Sequence, residues 1–127
     1  MFWIDENDNT TIHLTRGDAA ILKTELEDEE GNVQTFNAGN VIRFTVTDKG
    51  RCGRVFLQKD VTVNEETTEV RIPLTRDDTK IGEIINKPKD YWYEIELNPD
   101  TAPQTILGYD DDGAKILKLY PEGGDIE

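Results

Sequence analysis

The chain of 127 residues contains no serine, one histidine and one cysteine. A Ser-His-Asp triad is therefore excluded, and with it hydrolysis through a Gly-x-Ser-x-Gly elbow. The single cysteine, Cys52, allows neither an intrachain disulfide nor a cysteine cluster for a metal, which suits synthesis in a reducing cytoplasm. Positive charge is also scarce, with 14 Lys and Arg against 27 Asp and Glu and a formal net charge of −13. A surface of that sign repels a phosphate backbone and an anionic membrane, so nucleic acid and membrane are not the expected partners. No apolar run approaches the length of a membrane span. The first residues, MFWIDENDNTT, have neither a basic n-region nor an apolar h-region, and no signal peptide is expected.

What the chain does have is strict alternation in short pieces. Ile42, Phe44 and Val46 fall in one phase and Arg43, Thr45 and Thr47 in the other. Val70, Ile72 and Leu74 repeat the pattern, as do Tyr91, Tyr93, Ile95 and Leu97. That period of two is the mark of half-buried antiparallel strands. Further strands are expected at 11–15, 18–26, 54–63, 104–109 and 114–120, with Val55, Leu57, Val61 and Val63 in one phase. Turn residues separate them, and Asp112-Gly113 signals a final hairpin. Thr75-Arg76-Asp77-Asp78 has the pattern of a capped helix start and predicts a single helical turn near 76–80.

About seven short strands, with no long helical period, predict an all-β chain folded as an immunoglobulin-like antiparallel β-sandwich. The length fits one domain, 1–127, with an ordered core over about 11–120 and peripheral ends at 1–10 and 121–127. Tyr91 or Tyr93 is expected to serve as the corner tyrosine, its hydroxyl bonded to preceding backbone.

The candidate sites are few. Arg16-Gly17-Asp18 is an integrin-type tripeptide, but its close flanking strands favour a turn that launches a strand. The echo of Leu14-Thr15-Arg16-Gly17-Asp18 in Leu74-Thr75-Arg76-Asp77-Asp78 is followed by unrelated residues, so two separate corners are expected. Calcium takes six to eight oxygens, and Asp110, Asp111 and Asp112 are the first place to look for it, although their spacing fails the EF-hand pattern. No cofactor is indicated. His13 lies in a strand with no nucleophile beside it, and the chain does not read as an enzyme. Trp92 occupies the phase opposite to Tyr91, Tyr93, Ile95 and Leu97 and therefore faces outward, flanked by Glu94 and Glu96. Such a residue packs at a subunit interface, is covered by another loop, or stacks a sugar ring. With it, the apolar patch Phe2, Trp3 and Ile4 makes the best interface candidate.

Taken in order, the Thr15-Arg16-Gly17-Asp18 turn, the acidic 27–32 hairpin, Val41-Ile-Arg-Phe-Thr-Val46, the Val70-to-Thr79 corner and Tyr91-Trp-Tyr-Glu-Ile-Glu-Leu97 suggest a family. The chain resembles small Ig-like domains of phages and prophages of Gram-positive bacteria, including the N-terminal domain of baseplate upper proteins, from about Ile12 to Tyr120. The resemblance implies a virion structural protein of tail, baseplate or host-adhesion device, made in the host cytoplasm. Its implied partners are other virion or tail proteins, or further copies of itself, and no catalytic residue carries over. The alternative is a carbohydrate or cell-surface binding module.

Overall fold

The alternating segments form strands throughout the computed structural model, which describes residues 1–28, 30–48, 54–108 and 113–122. In chain order these are β1 (Phe2–Ile4), β2 (Ile12–Thr15), β3 (Ala20–Thr24), β4 (Leu26–Glu27), β5 (Val33–Gln34) and β6 (Val41–Thr47). They are followed by β7 (Val55–Thr62), β8 (Val70–Leu74), β9 (Lys89–Leu97), β10 (Gln104–Leu107) and β11 (Lys115–Tyr120). The protein is all-β, with no helix among the described residues.

A seven-stranded sheet runs β1-β2-β11-β9-β6-β7, with β10 also paired to β9. The β2–β11 pairing is parallel and the other pairings are antiparallel. Two two-stranded sheets, β3-β8 and β4-β5, complete the pairing. The apolar phases of the large sheet, including Ile12, Leu14, Phe44, Tyr91, Ile95 and Leu117, share one core with Leu22, Val70, Ile72 and Leu74 of β3 and β8. The arrangement is sandwich-like, because each sheet has only one apolar face to bury.

Several local features depart from the sequence expectations. The turn at 76–79 does not become the expected helical turn near 76–80. Its capping exchange is present: Asp78 N–H donates to Thr75 Oγ1 at 3.1 Å, and Thr75 N–H donates to the Asp78 carboxylate at 2.9 Å. Only the Thr79 amide reaches back four residues, to Thr75 O at 3.2 Å. One such bond does not offset the cost of helix nucleation, and the chain turns away at Gly82, whose φ is +64°. In β7 the register slips between Val46–Leu57 and Thr47–Val55, leaving Phe56 as an extra residue. Val55, expected in the core phase, is thus exposed, while Phe56 packs edge-on against Tyr91 at 5.4 Å between centroids. Among the described residues the two arms of the expected final hairpin do not pair with each other but lie end to end, and its turn, 109–112, falls outside the described residues. Gln104 and Lys115 pair with Leu97 and Tyr93, so β10 and β11 follow one another along the same side of β9. The N-terminal segment, expected to be peripheral, supplies the edge strand β1, and Phe2 and Ile4 pack against the core.

The two echoed corners meet in space. Thr79, fully buried, accepts a hydrogen bond from Gly17 N–H at 3.0 Å and donates toward the carbonyls of Asp18 and Arg76 at 2.9 and 3.1 Å. Thr79→Val keeps the shape and removes the hydroxyl, stranding the Gly17 N–H. It should lower stability by about 2 kcal/mol in urea unfolding. Loss of less than about 0.5 kcal/mol would show that the corner contact is incidental.

Candidate functional site

The outward phases of β1, β2, β11, β9 and β6 build the candidate surface. Strand register sets Trp3 beside His13, His13 beside Lys118, and Lys118 beside Asp90. The neighbouring row runs Ile116, Trp92, Thr47. Because the rows are two residues apart along each strand, they lie side by side on one face of the sheet. Trp3 and Trp92, separated by 89 positions in the chain, therefore share a surface. Trp3 is 43% exposed and Trp92 is half-buried. Phe2 and Ile4, also expected at the interface, point the other way into the core, as alternation along β1 requires.

His13 is the support beneath Trp3. The indole and imidazole rings lie parallel, 3.7 Å between centroids with 2° between planes. His13 Nδ1 is 2.8 Å from the Tyr120 hydroxyl. Its Nε2 is buried without a hydrogen bond among the described residues, and the nearest carboxylate, Asp5, is 3.5 Å away. One indole face is thus backed by a fixed ring, which costs the Trp3 side chain its freedom before any partner arrives. The sequence does not reveal this role for His13. Alternation alone places it outward, but the stack depends on the β1–β2 register.

Several carboxylates have shifted titrations: Glu94 lies in the Trp92 phase of β9 and Asp60 pairs with Arg43 on the same side, whereas Asp78 sits in the 76–79 turn and Asp8 in the loop between β1 and β2. Burial pushes the Glu94 carboxyl up, and the neighbouring Glu96 pushes it further. Asp60 is held low by its hydrogen bonds from Arg43, at 2.8 and 3.0 Å. At Asp78, burial opposes ionisation, but hydrogen bonds from Lys59 and Thr75 outweigh it and lower the pKa. Asp8 is lowered to about 2 by the Thr11 hydroxyl and by the amides of Thr11 and Thr10. A lowered carboxyl stabilises the fold above its unfolded pKa and loses that contribution as pH falls through the folded value. A raised one, as at Glu94, contributes below its unfolded pKa and loses this as pH rises. As pH falls from neutral toward the ordinary carboxylate range the melting temperature should therefore climb as Glu94 takes up its proton, then fall at lower pH as Asp8 and the other lowered carboxylates are protonated. In Glu94→Gln the climb should disappear and the acid fall remain. A climb retained in that variant would place its origin elsewhere.

The remaining candidates resolve differently. Arg16 is buried, with Nε and Nη2 donating to the carbonyls of Ile81 (3.3 Å) and Gly82 (3.0 Å) and Nη1 to Glu122 (2.6 Å). Asp18 pairs with the N-terminal ammonium of Met1. The Arg-Gly-Asp triplet is a structural turn and presents no free guanidinium. Tyr93 donates to Thr10 O, in the loop between β1 and β2, while the buried Tyr91 hydroxyl lacks a hydrogen-bond partner among the described residues. Neither tyrosine makes the expected bond to the preceding corner. Asp110, Asp111 and Asp112 lie outside the described residues, as does Cys52. Among the described residues no group of three His, Cys, Asp or Glu side chains is placed to hold a metal.

A groove of about 590 Å³ opens between β3 and the β9–β10 end of the large sheet. Leu22, Ile95, Ile106 and Leu107 contribute to its apolar lining.

An all-β, sandwich-like protein with an aromatic patch on its outer sheet face is the class these observations define. The chain matches no protein-family model, no curated protein and no solved structure.

Proposed function

We propose that the chain is an Ig-like β-sandwich domain acting as a non-enzymatic structural component of a phage or prophage tail, baseplate or host-adhesion device. It works through protein–protein contact on the outer face of the large sheet. The observation that carries this reading is Trp3, held flat on His13 and left 43% exposed on the face that also holds Trp92 and Ile116. A rigid, partly solvated aromatic is the residue type that anchors interfaces. Support for the Ig-like assignment comes from strand order. The second strand lies parallel to the last (β2, β11), the last pairs with β9, and β9 passes to β6 and β7, while β3 and β8 pair separately.

The test is co-purification with the products of the genes on either side, with mass measured by light scattering. A stable complex is expected, together with at least about tenfold weaker binding for Trp3→Ala and Trp92→Ala. Flanking genes that encode no tail proteins, or a complex indifferent to both substitutions, would overturn the proposal. A second reading, carbohydrate or cell-surface binding, draws on the same indole, since its solvent-facing side could stack a sugar ring. It predicts a tryptophan fluorescence change with cell-wall saccharides that is lost in Trp3→Ala. An unresponsive broad glycan panel would remove it.

A further inference from the structure

β3 pairs only with β8 among the described residues, so its other edge is open. The direction of its backbone groups follows from one residue. Pro73 stands opposite Ile21 and has no N–H to donate. The ladder begins at Ala20–Leu74 and ends at Thr24–Val70, which makes Ala20, Leu22 and Thr24 the hydrogen-bonded positions. The N–H and C=O groups of Ile21 and Lys23 consequently point away from β8, out of the free edge.

That edge borders the groove of about 590 Å³. Inside are Leu22, Ile95, Ile106 and Leu107, and its carboxylates are Glu25, Glu27 and Glu69 against the single ammonium of Lys23. The Glu69 Oε1 atom is buried and accepts no hydrogen bond among the described residues, its nearest cation being Arg71 at 3.5 Å. Ile21, in the middle of the strand, is 52% exposed. Open edges are usually shielded by covering segments, proline or several charges. Here Lys23 is the one charged residue of the strand.

We propose that this edge and groove receive an extended strand of another protein, one that alternates apolar residues with lysine or arginine. The incoming backbone pairs with Ile21 and Lys23, its apolar side chains enter between the sheets, and its cations meet Glu25, Glu27 and Glu69. Backbone pairing supplies affinity and the alternate side chains supply selectivity, as in other strand additions. Charge decides against a second copy of this chain, which carries −13 and would bring like charge to an acidic rim. The surface is separate from the Trp3 and Trp92 face, so the proposal stands independently of the function proposed above.

The test uses a fluorescein-labelled synthetic peptide of alternating lysine and valine, with lysine–glycine and glutamate–valine peptides of equal length as comparisons, read by anisotropy. The lysine–valine peptide should bind saturably, and both comparison peptides at least about tenfold more weakly. Amide exchange at Ile21 and Lys23 should slow in the complex. Ile21→Pro removes an edge N–H without touching the β8 ladder and should weaken binding at least about tenfold. Glu25→Lys combined with Glu27→Lys, both at exposed positions, should do the same if Ile21→Pro fails to fold. Equal binding of the lysine–glycine peptide would reduce the effect to bulk charge and overturn the proposal. So would unchanged exchange at Ile21 and Lys23, or no binding at all.

Discussion

Replacing Arg16 by alanine should lower the unfolding free energy by about 3 to 5 kcal/mol, a large share of the total for a domain this small. The guanidinium is buried and its three donating nitrogens are all occupied. It ties the end of β2 to the Ile81 and Gly82 carbonyls on one side and to Glu122, past the end of β11, on the other. Alanine would leave two carbonyls and a half-buried carboxylate without their donor, and stranding buried polar groups costs more than the bonds contribute when made. Arg16→Lys keeps the charge but cannot form the planar fork, so it should recover only part of the loss. Urea unfolding followed by tryptophan fluorescence measures both. A loss within about 1 kcal/mol for alanine would mean that solvent replaces the guanidinium at little cost.

The importance of Arg16 could not be read from the sequence, where it appeared in a tripeptide with an adhesion meaning. Glu122 is 106 positions away, and only the parallel β2–β11 pairing brings the two together. Local pattern was sufficient wherever the alternation was unbroken. β6, β8 and β9 lie within a residue or two of their expected limits, and the inward phase Tyr91, Tyr93, Ile95, Leu97 is buried as its spacing requires. It was insufficient where one strand depends on another. The three residues of β1 are too few to show a period and become a strand only against β2. The bulge at Phe56 inverts the phase of Val55, and no turn residue announces it. An Asp-Gly pair is a good hairpin signal in isolation, but β9 is nine residues long and offers room on one side for β10 and β11 in succession.

The candidate surface divides in the same way. Phase alone places Trp92 outward, in the row it shares with Ile116 and Thr47. Adjacency in sequence groups Trp3 with Phe2 and Ile4 as one patch, yet alternation splits the three, sending Trp3 to the outer face and its neighbours to the core. The stack on His13 required a register, and the open edge of β3 required a topology. Both are relations between segments, which composition and spacing within a segment do not contain.

The second large effect is expected at Gly82. Its φ of +64° is one that side-chain-bearing residues adopt at a cost of about 1 to 2 kcal/mol. A Cβ built there would also lie 2.5 Å from the Tyr91 hydroxyl, with the ring carbon behind it at 3.6 Å. Tyr91 is fully buried with Phe56 packed edge-on against it at 5.4 Å, so the ring can give way only toward the cavity of about 300 Å³ that Gly82, Phe56 and Tyr91 line, at the cost of repacking. Gly82→Ala should therefore cost about 3 kcal/mol or more, the sum of backbone strain and overpacking. The two contributions separate in a double-mutant cycle. Because the Tyr91 hydroxyl has no hydrogen-bond partner among the described residues, Tyr91→Phe should leave stability within about 1 kcal/mol of the original or raise it. With Tyr91→Phe already in place, the Cβ introduced by Gly82→Ala meets only the residue-91 ring carbon at 3.6 Å and Phe56 Cε1 at 3.9 Å, both ordinary contacts, and the second substitution should cost the backbone strain alone, about 1 to 2 kcal/mol. The cycle should thus show a favourable coupling of about 1 to 2 kcal/mol. Strict additivity would mean that Tyr91 shifts freely and that the glycine is required only for its backbone angle.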